Sequence, residues 1–202
     1  MKDYYRERAA EYDKIYEKPE RQEDLATLRG LLPSLVAGRS VLEIACGTGY
    51  WTTALASSAH SVLATDINEE TLAIARTRSY PSPVRFEIAD AFAPIPGEFD
   101  TIFSGFFWSH VPRADVRRFV RGLLEQAELV ILADNRYVEG SSSPITRTSA
   151  DGDTYQTRRL SDGREYEILK NFPTPSQFEA DVAPAAVRRT DLTYFWLATL
   201  TR

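Results

Sequence analysis

Apolar residues recur along this chain with two different spacings. Spacings of three and four positions predict amphipathic helices, because a helix makes one turn about every 3.6 residues. Short apolar runs bounded by glycine, proline or polar residues predict strands. The helical spacing covers residues 4–17, 20–36, 50–58, 68–79, 113–124 and 175–181, and the strand pattern covers residues 41–45, 61–65, 84–88, 99–104, 127–133 and 192–200.

Predicted strands and helices alternate through residues 41–133. Parallel strands need crossovers of this kind, and the crossovers are right-handed, so the order predicts a mostly parallel sheet. We therefore expect an α/β, Rossmann-like doubly wound fold with a seven-stranded sheet and an antiparallel C-terminal hairpin. The hairpin signal is the turn Asp162-Gly163, which separates residues 154–160 from 164–169. Residues 138–153 are rich in Ser, Gly and Asp and predict a loop over a site.

The composition narrows the class of protein. Apolar residues make up 43% of the 202 positions and charged residues 26%, which suits a chain with a sizeable core. The net charge of −5 disfavours binding to a nucleic-acid backbone or an anionic membrane. The lone cysteine, Cys46, excludes an intramolecular disulfide and disfavours a zinc site. With a charged N-terminus and no apolar run of roughly 18 residues, we expect a cytoplasmic protein without metal, nucleic-acid or membrane partners.

A glycine turn follows the first predicted strand. Gly47 and Gly49 let the backbone bend sharply and pass close to a ligand. A dinucleotide site would have a third glycine where Thr52 stands, because a diphosphate sits on the helix N-terminus. A carboxylate at Glu43 would repel a diphosphate but suits a cationic amino-acid ligand. The turn therefore favours S-adenosylmethionine over a dinucleotide.

Acidic residues also end the next two strands. Asp66 can accept two hydrogen bonds from ribose hydroxyls, and Asp90 can accept one from an adenine amino group while Phe92 packs on the ring. Each acid alone is more commonly a solvated strand end or a helix cap. Three acids at three successive strand ends, together with the glycine turn, predict a nucleoside cofactor site.

These motifs resemble those of the class I S-adenosylmethionine-dependent methyltransferases. The resemblance rests on residues 41–52 (Val-Leu-Glu-Ile-Ala-Cys-Gly-Thr-Gly-Tyr-Trp-Thr), on Asp66, and on residues 90–92. The segment from Tyr5 to Asp13 is similar to the N-terminal lid of the family's small-molecule members. The resemblance implies S-adenosylmethionine as cofactor and S-adenosylhomocysteine as product. The cofactor-binding residues that it implies are Tyr5, Glu43, Ala45, Gly47, Gly49, Trp51, Asp66, Ile67, Asp90, Ala91 and Phe92.

The same resemblance implies a domain organisation. We expect one methyltransferase domain over residues 1–202. Residues 1–36 would form a helical lid, residues 37–135 the cofactor-binding core, and residues 136–202 a substrate-side loop, the hairpin and the last strand.

His110 is the candidate catalytic residue. It follows the fourth strand, at the carboxyl edge of the sheet where ligands bind, and has aromatic neighbours. The only other histidine, His60, precedes the second strand and falls at the opposite edge. His110 could serve as a general base or contact the substrate, whereas the alternative is a helix cap or a packing residue.

The predicted hairpin carries three cations, Arg158, Arg159 and Lys170. Strand alternation puts Lys170 on one face with Tyr166. A two-residue turn would pair Arg159 with Tyr166, whereas a bulge at Gly163 would bring Arg158 there instead, and the spacing leaves both open. Any one of these cations more commonly faces solvent, but together they suggest an anionic substrate group.

A second resemblance concerns the substrate. Four segments are similar to the phosphonate O-methyltransferases of dehydrophos biosynthesis and related small-molecule enzymes, namely residues 4–9, 47–52, 109–112 and 162–170. It implies that His110 lies at the reaction centre and that Arg158 and Lys170 hold the anion. The bulged register is thereby favoured. Tyr16 is the candidate for an N-terminal tyrosine that contacts substrate.

These observations lead to one predicted activity and two alternatives. We expect methyl transfer to an oxygen of a small acidic molecule, either a phosphonate or a carboxylate. The alternatives are N-methylation of a small molecule and, less favoured, S-adenosylmethionine binding without catalysis. Methylation of nucleic acid is disfavoured because Ser104-Gly105-Phe106-Phe107 stands where an Asn-Pro-Pro-Tyr-like motif would follow the fourth strand.

Overall fold

The computed structural model describes residues 2–202, except for the side chain of Lys2. The helices are α1 (Lys2–Arg8), α2 (Gln22–Val36), α3 (Tyr50–Ala56), α4 (Glu69–Ala75), α5 (Val116–Gln126) and α6 (Pro175–Val182). The strands are β1 (Ser40–Ile44), β2 (Ser61–Asp66), β3 (Val84–Ile88), β4 (Thr101–Gly105), β5 (Leu129–Asn135), β6 (Arg147–Thr148), β7 (Thr154–Arg159), β8 (Glu165–Leu169), β9 (Ala186–Asp191) and β10 (Phe195–Thr201). None of the helices in this part of the chain is long and apolar enough to cross a bilayer.

Seven strands form the main sheet, in the order β3-β2-β1-β4-β5-β10-β9. The first five pair in parallel, and β10 runs antiparallel to both β5 and β9. This arrangement confirms the predicted Rossmann-like fold. The strand order reverses between β1 and β4, and ligands of such sheets bind in the crevice at that point.

Helices cover both faces of the sheet, which explains why its central strands are buried. On one face Leu25 and Leu28 of α2 pack with Leu55 of α3. On the other, Phe119 of α5 and Phe178 of α6 belong to a second cluster. The continuous burial of β1, β2 and β4 matches strands that are covered on both sides.

The predicted hairpin lies in a separate three-stranded sheet of order β6-β7-β8. Leu160 donates its N–H to the carbonyl of Arg164, which leaves a three-residue loop that ends at Gly163 with a φ of 90°. Glycine adopts this left-handed backbone without strain. The loop pairs Arg158 with Tyr166, which is the bulged of the two registers considered.

Three elements differ from the sequence prediction, and one of them is β6, a two-residue strand inside the predicted loop of residues 138–153. The first predicted helix, at 4–17, is helical only as far as Arg8 and then tightens into a 3-10 helix, Ala9–Tyr16. Side chains three positions apart share a face in a 3-10 helix, and Tyr12 and Ile15 both pack against the core. Strand β9 was not predicted, because its Arg-Arg-Thr-Asp sequence reads as a polar segment.

Candidate active site

The carboxyl ends of β1 to β4 surround a cavity, called here the first cavity. Each strand end contributes a short segment, and the N-terminal 3-10 helix covers one side through Tyr12. Two residues that are not glycine, Ala45 and Phe106, have left-handed backbone with φ of 54° and 62°. Both line this cavity, and such backbone is concentrated at functional sites because it carries strain.

Asp66 ties the turn after β1 to the end of β2. Its Oδ2 accepts the backbone N–H of Gly47 at 2.9 Å, and its Oδ1 accepts that of Asn68 at 2.8 Å. Burial raises the pKa of Asp66, while these backbone donors oppose the rise. Each carboxylate oxygen keeps a further lone pair that can accept a hydrogen bond from a ligand.

Gly49 has a packing role in this structure. It begins α3 with a φ of 79°, and a Cβ at this position would lie 2.5 Å from the hydroxyl of Tyr80 and 3.0 Å from the Cβ of Ala75. A side chain would therefore push α3 away from α4. Gly49 is not one of the residues that line the first cavity.

Glu43 and Trp51 also lie outside the lining of the first cavity. The Oε2 of Glu43 accepts the hydroxyl of Thr52 at 2.5 Å. Burial raises the pKa of Glu43 to about 8, the hydrogen bond from Thr52 lowers it, and the charge of Asp66 raises it further. Trp51 is buried and stacks on Phe106 with ring centroids 5.4 Å apart.

A second cavity adjoins the first and is strongly cationic. The two share the side chains of Tyr5, Tyr12, Phe106 and His110. The cationic residues that line the second cavity are Arg8, Lys14, Lys18, Arg21, Arg158 and Lys170. Within residues 2–202, no aspartate or glutamate lines it. A cavity of this charge attracts an anion.

His110 lies on the wall between the cavities, in the short 3-10 helix Trp108–His110. Its Nδ1 lies 2.7 Å from the carbonyl oxygen of Leu169, which can only accept, so Nδ1 carries the hydrogen. Nε2 is then the acceptor for the Tyr5 hydroxyl, at 2.7 Å. Burial first, and then the charge of Lys170, lower the pKa of His110 to about 3. The imidazole is therefore neutral at physiological pH.

Lys170 is anchored by a buried acid. Its Nζ donates to the hydroxyl of Ser109 at 2.6 Å and lies 3.5 Å from Oδ1 of Asp134. Asp134 also accepts the N–H of Ser109 at 2.7 Å and its hydroxyl at 3.0 Å. Burial lowers the pKa of Lys170, and Asp134 opposes that effect. Burial alone would raise the pKa of Asp134, but the charge of Lys170 and the Ser109 N–H hold it below its usual value.

Comparison with known proteins finds a methyltransferase domain match and two similar solved structures. Residues 41–126 match a family model described as a methyltransferase domain. The solved DhpI-SAM-HEP complex has a TM-score of 0.82 and 27% sequence identity, over 99% of this chain and 95% of that one. The DhpI-SAH complex gives 0.80 and 27%, over 98% and 93% of the two chains. These matches support a class I S-adenosylmethionine-dependent methyltransferase.

Curated relatives of the methyltransferase agree with this assignment. A ubiquinone biosynthesis O-methyltransferase of Xanthomonas euvesicatoria is 27% identical over 164 residues, covering 78% of this chain and 66% of the relative. One from Thiobacillus denitrificans is 35% identical over 82 residues, covering 38% and 35%. The methyltransferase thus spans between about a third and two thirds of the length of these relatives.

The first cavity fits the cofactor of the methyltransferases, S-adenosylmethionine. The side-chain Oδ1 of Asn68 is buried there and has no hydrogen-bond partner, so it can accept from a nucleoside hydroxyl or amino group. Ile67 and Phe92 expose apolar surface to the same space. Within residues 2–202, no cluster of three or more histidine, cysteine or acidic side chains could hold a metal ion.

The structure distributes the predicted site residues of the methyltransferase over both cavities. Tyr16, Arg158 and Lys170 line the second cavity, and Tyr5 and His110 line both. The predicted residues that line only the first cavity are Ala45, Gly47, Asp66, Ile67, Asp90, Ala91 and Phe92. Glu43, Gly49 and Trp51 support that cavity from outside its lining.

Sequence reasoning did not single out several site residues. Tyr12 and Phe106 line both cavities, and Asn68 lines the first. The pair formed by Ser109 and Asp134 was also missed. Asp134 ends β5 at the same edge as the other strand-end acids, and that position was the available signal.

Proposed function

We propose that this methyltransferase transfers the methyl group of S-adenosylmethionine to an anionic oxygen of a small acid. The observation that carries the proposal is the second cavity, which six cations and no carboxylate of the described residues line. It meets the first cavity at a wall that contains His110 and Tyr5. An acid held among the cations would reach the cofactor at that wall.

Arg158 and Lys170 are the proposed anion holders. The Nη1 of Arg158 donates to the hydroxyl of Ser143 at 2.6 Å, and Nη2 donates to Oε1 of Gln156 at 2.7 Å. Both partners are neutral, so they orient the guanidinium without neutralising its charge. A planar guanidinium suits two oxygens of a phosphonate or carboxylate. Contacts with Ser109 and Asp134 hold the Lys170 side chain in place, where it lines the same cavity.

The state of His110 favours a substrate oxygen that is already ionised. S-adenosylmethionine supplies a methyl group on a positively charged sulfur. An alcohol would need a base of pKa near the working pH, and an imidazole with a pKa of about 3 is a weak base. A phosphonate or carboxylate needs no proton removal at neutral pH. We infer that His110 and Tyr5 position the acid and exclude water, which are the main requirements of an in-line displacement.

The comparisons support oxygen as the acceptor atom. The curated relatives are named O-methyltransferases, and the DhpI structures match nearly the full chain. An amine substrate would favour carboxylates in its cavity, whereas the second cavity presents cations. We also infer that residues 1–36 act as a lid over the core of residues 37–135, because Tyr5 and Tyr12 line both cavities.

A substrate screen with two arginine variants tests the proposal. Release of S-adenosylhomocysteine should be seen with small phosphonic or carboxylic acids and not with amines of the same size. Arg158→Gln should raise KM for the acid at least about tenfold, the loss of one charge-assisted hydrogen bond. Arg159→Gln is the matched control, since Arg159 is exposed and pairs with Glu165. Equal KM values for Arg158→Gln and Arg159→Gln would contradict the assignment.

A further inference from the structure

The second cavity is also lined by a buried guanidinium outside the group formed by Lys170, Ser109 and Asp134. Arg21 precedes α2 and is only 7% exposed. Its Nε donates to the hydroxyl of Ser141 at 3.0 Å, and its Nη1 donates to Oδ1 of Asn135 at 3.2 Å. Beside it, Nζ of Lys18 donates to the carbonyl of Ser141 at 2.5 Å. Lys18, Arg21 and Ser141 are called here the serine-loop cluster.

Acidic side chains near this cluster do not form ion pairs with its two cations, Lys18 and Arg21. Glu20 is exposed and accepts the Ser141 hydroxyl at 2.7 Å, and Oδ2 of Asp24 accepts the backbone N–H of Tyr194 at 2.7 Å. In the part of the chain that the structure describes, neither Lys18 nor Arg21 lies within ion-pair distance of a carboxylate. Arg21 packs over Tyr194, which stabilises the guanidinium but leaves its charge in place.

The cations of the second cavity also repel one another. Burial lowers the pKa of both Lys18 and Arg21, and the charge of Arg158 lowers each further. Lys18 is exposed, whereas Arg21 is buried. Glu20 and Asp24 raise the pKa of Arg21 but do not offset its burial, so the charge of this buried guanidinium is only partly compensated. An anionic group bound at this end of the cavity would supply the missing counter-ion.

Residues 141–143 connect the two cationic centres. Ser141 contacts Lys18 and Arg21, and Ser143 contacts Arg158. These serines are two positions apart, so their Cα atoms are at most about 7 Å apart. Both centres line the second cavity, so one small molecule with two anionic groups can contact both.

We propose that the second cavity has two anion subsites, and that the substrate is a small molecule with two acidic groups. The proposal rests on the proposed function. One acidic group would lie at Arg158 and Lys170 and accept the methyl group. The other, a carboxylate or a phosphonate, would bind the serine-loop cluster through Arg21 and Lys18 and would not react.

Matched pairs of ligands separate this proposal from the proposed function. Phosphonoacetic acid and phosphonoacetamide differ in one acidic group, as do succinic acid and succinamic acid. Binding is measured by calorimetry with S-adenosylhomocysteine present, and methylation by S-adenosylhomocysteine release. The variants are Arg21→Gln and, as control, Arg85→Gln on the exposed face of β3. Thermal unfolding of each variant checks that it is folded.

The expected result is that each di-acid binds at least about tenfold more tightly than its amide, and that Arg21→Gln removes this preference while Arg85→Gln retains it. Equal binding of di-acid and amide by the unaltered enzyme would overturn the second subsite and leave the proposed function intact. Equal weakening of both ligands by Arg21→Gln would do the same. Absence of binding and of methylation for every acid would overturn the proposed function, and the second subsite with it.

Discussion

The hydroxyl of Tyr5 lies 2.7 Å from Nε2 of His110, across 105 positions of the sequence. Their rings also pack edge to face, with centroids 5.3 Å apart. Tyr5 belongs to α1, whereas His110 follows β4, so this contact joins the N-terminal segment to the carboxyl edge of the sheet. Because both residues line both cavities, the N-terminal segment forms part of the wall between them.

Tyr5→Phe is expected to lower kcat/KM about two- to tenfold, the range of one lost hydrogen bond. The phenylalanine ring still packs between the two cavities, so the fold is retained. Steady-state kinetics with the acid found in the substrate screen would measure the effect. Tyr137→Phe serves as control, since Tyr137 is exposed and lies outside both cavities. Unchanged kcat/KM in Tyr5→Phe would argue against a role for this contact.

Periodicity predicted the fold well because the fold is encoded locally. The burial of β1 and β2 and the helices between strands appear as short-range patterns. The pairing of Tyr5 with His110 depends on the packing of segments far apart in sequence, and no local pattern encodes it. Strand β9 is held by pairing with β10 at the sheet edge, where charged residues are common, so its sequence does not alternate as a buried strand does.

The neutral state of His110 predicts an acid-sensitive contribution to stability. Its pKa is about 3 in the folded chain and 6.5 in a model compound. The unfolded chain therefore binds more protons between these values, and the contribution is complete above pH 6.5 and lost as the pH falls towards 3. Lowering the pH to about 5 should remove about 2 kcal/mol, or about 4–8 °C in Tm. His110→Gln should lose less Tm over the same change, and an equal loss in both proteins would refute the assigned charge state.

Asp66→Asn is expected to weaken S-adenosylhomocysteine binding at least about tenfold, because an amide presents one acceptor oxygen instead of two. Calorimetry measures the affinity directly. Asp100→Asn is the matched control, since Asp100 caps Ser40 at the opposite, amino-terminal edge of the sheet. Equal affinities in the two variants would remove Asp66 from the cofactor site.

Lys170→Met tests the buried pair with Asp134 as well as the anion site. It leaves the Asp134 carboxylate without its cation and should reduce the free energy of unfolding by about 3–5 kcal/mol. Adding Asp134→Asn should restore much of that stability but leave KM for the acid raised. Denaturant unfolding and kinetics on both variants provide the two readouts. Recovery of KM along with stability would limit Lys170 to a structural role.

The site was less predictable from the sequence than the fold. The glycine turn, Asp66 and residues 90–92 sit at strand ends, where topology alone brings them together. Whether Arg158 or Arg159 pairs with Tyr166 depends on one extra residue in the turn, and the sequence spacing does not determine the length of that turn. The serine-loop cluster joins Lys18 and Arg21 to residue 141 through side-chain and backbone contacts that only the folded chain provides.

We propose that the first cavity holds S-adenosylmethionine and the second holds a small acid, so that an acidic oxygen is methylated where the cavities meet. The most direct test is to incubate the enzyme with S-adenosylmethionine that carries a deuterated methyl group, together with a small phosphonic or carboxylic acid. Mass spectrometry then locates the label. A labelled methyl ester of the acid and an equal amount of S-adenosylhomocysteine are expected. With an amine of the same size added to the mixture, label on its nitrogen and none on the acid would refute methylation of an acidic oxygen.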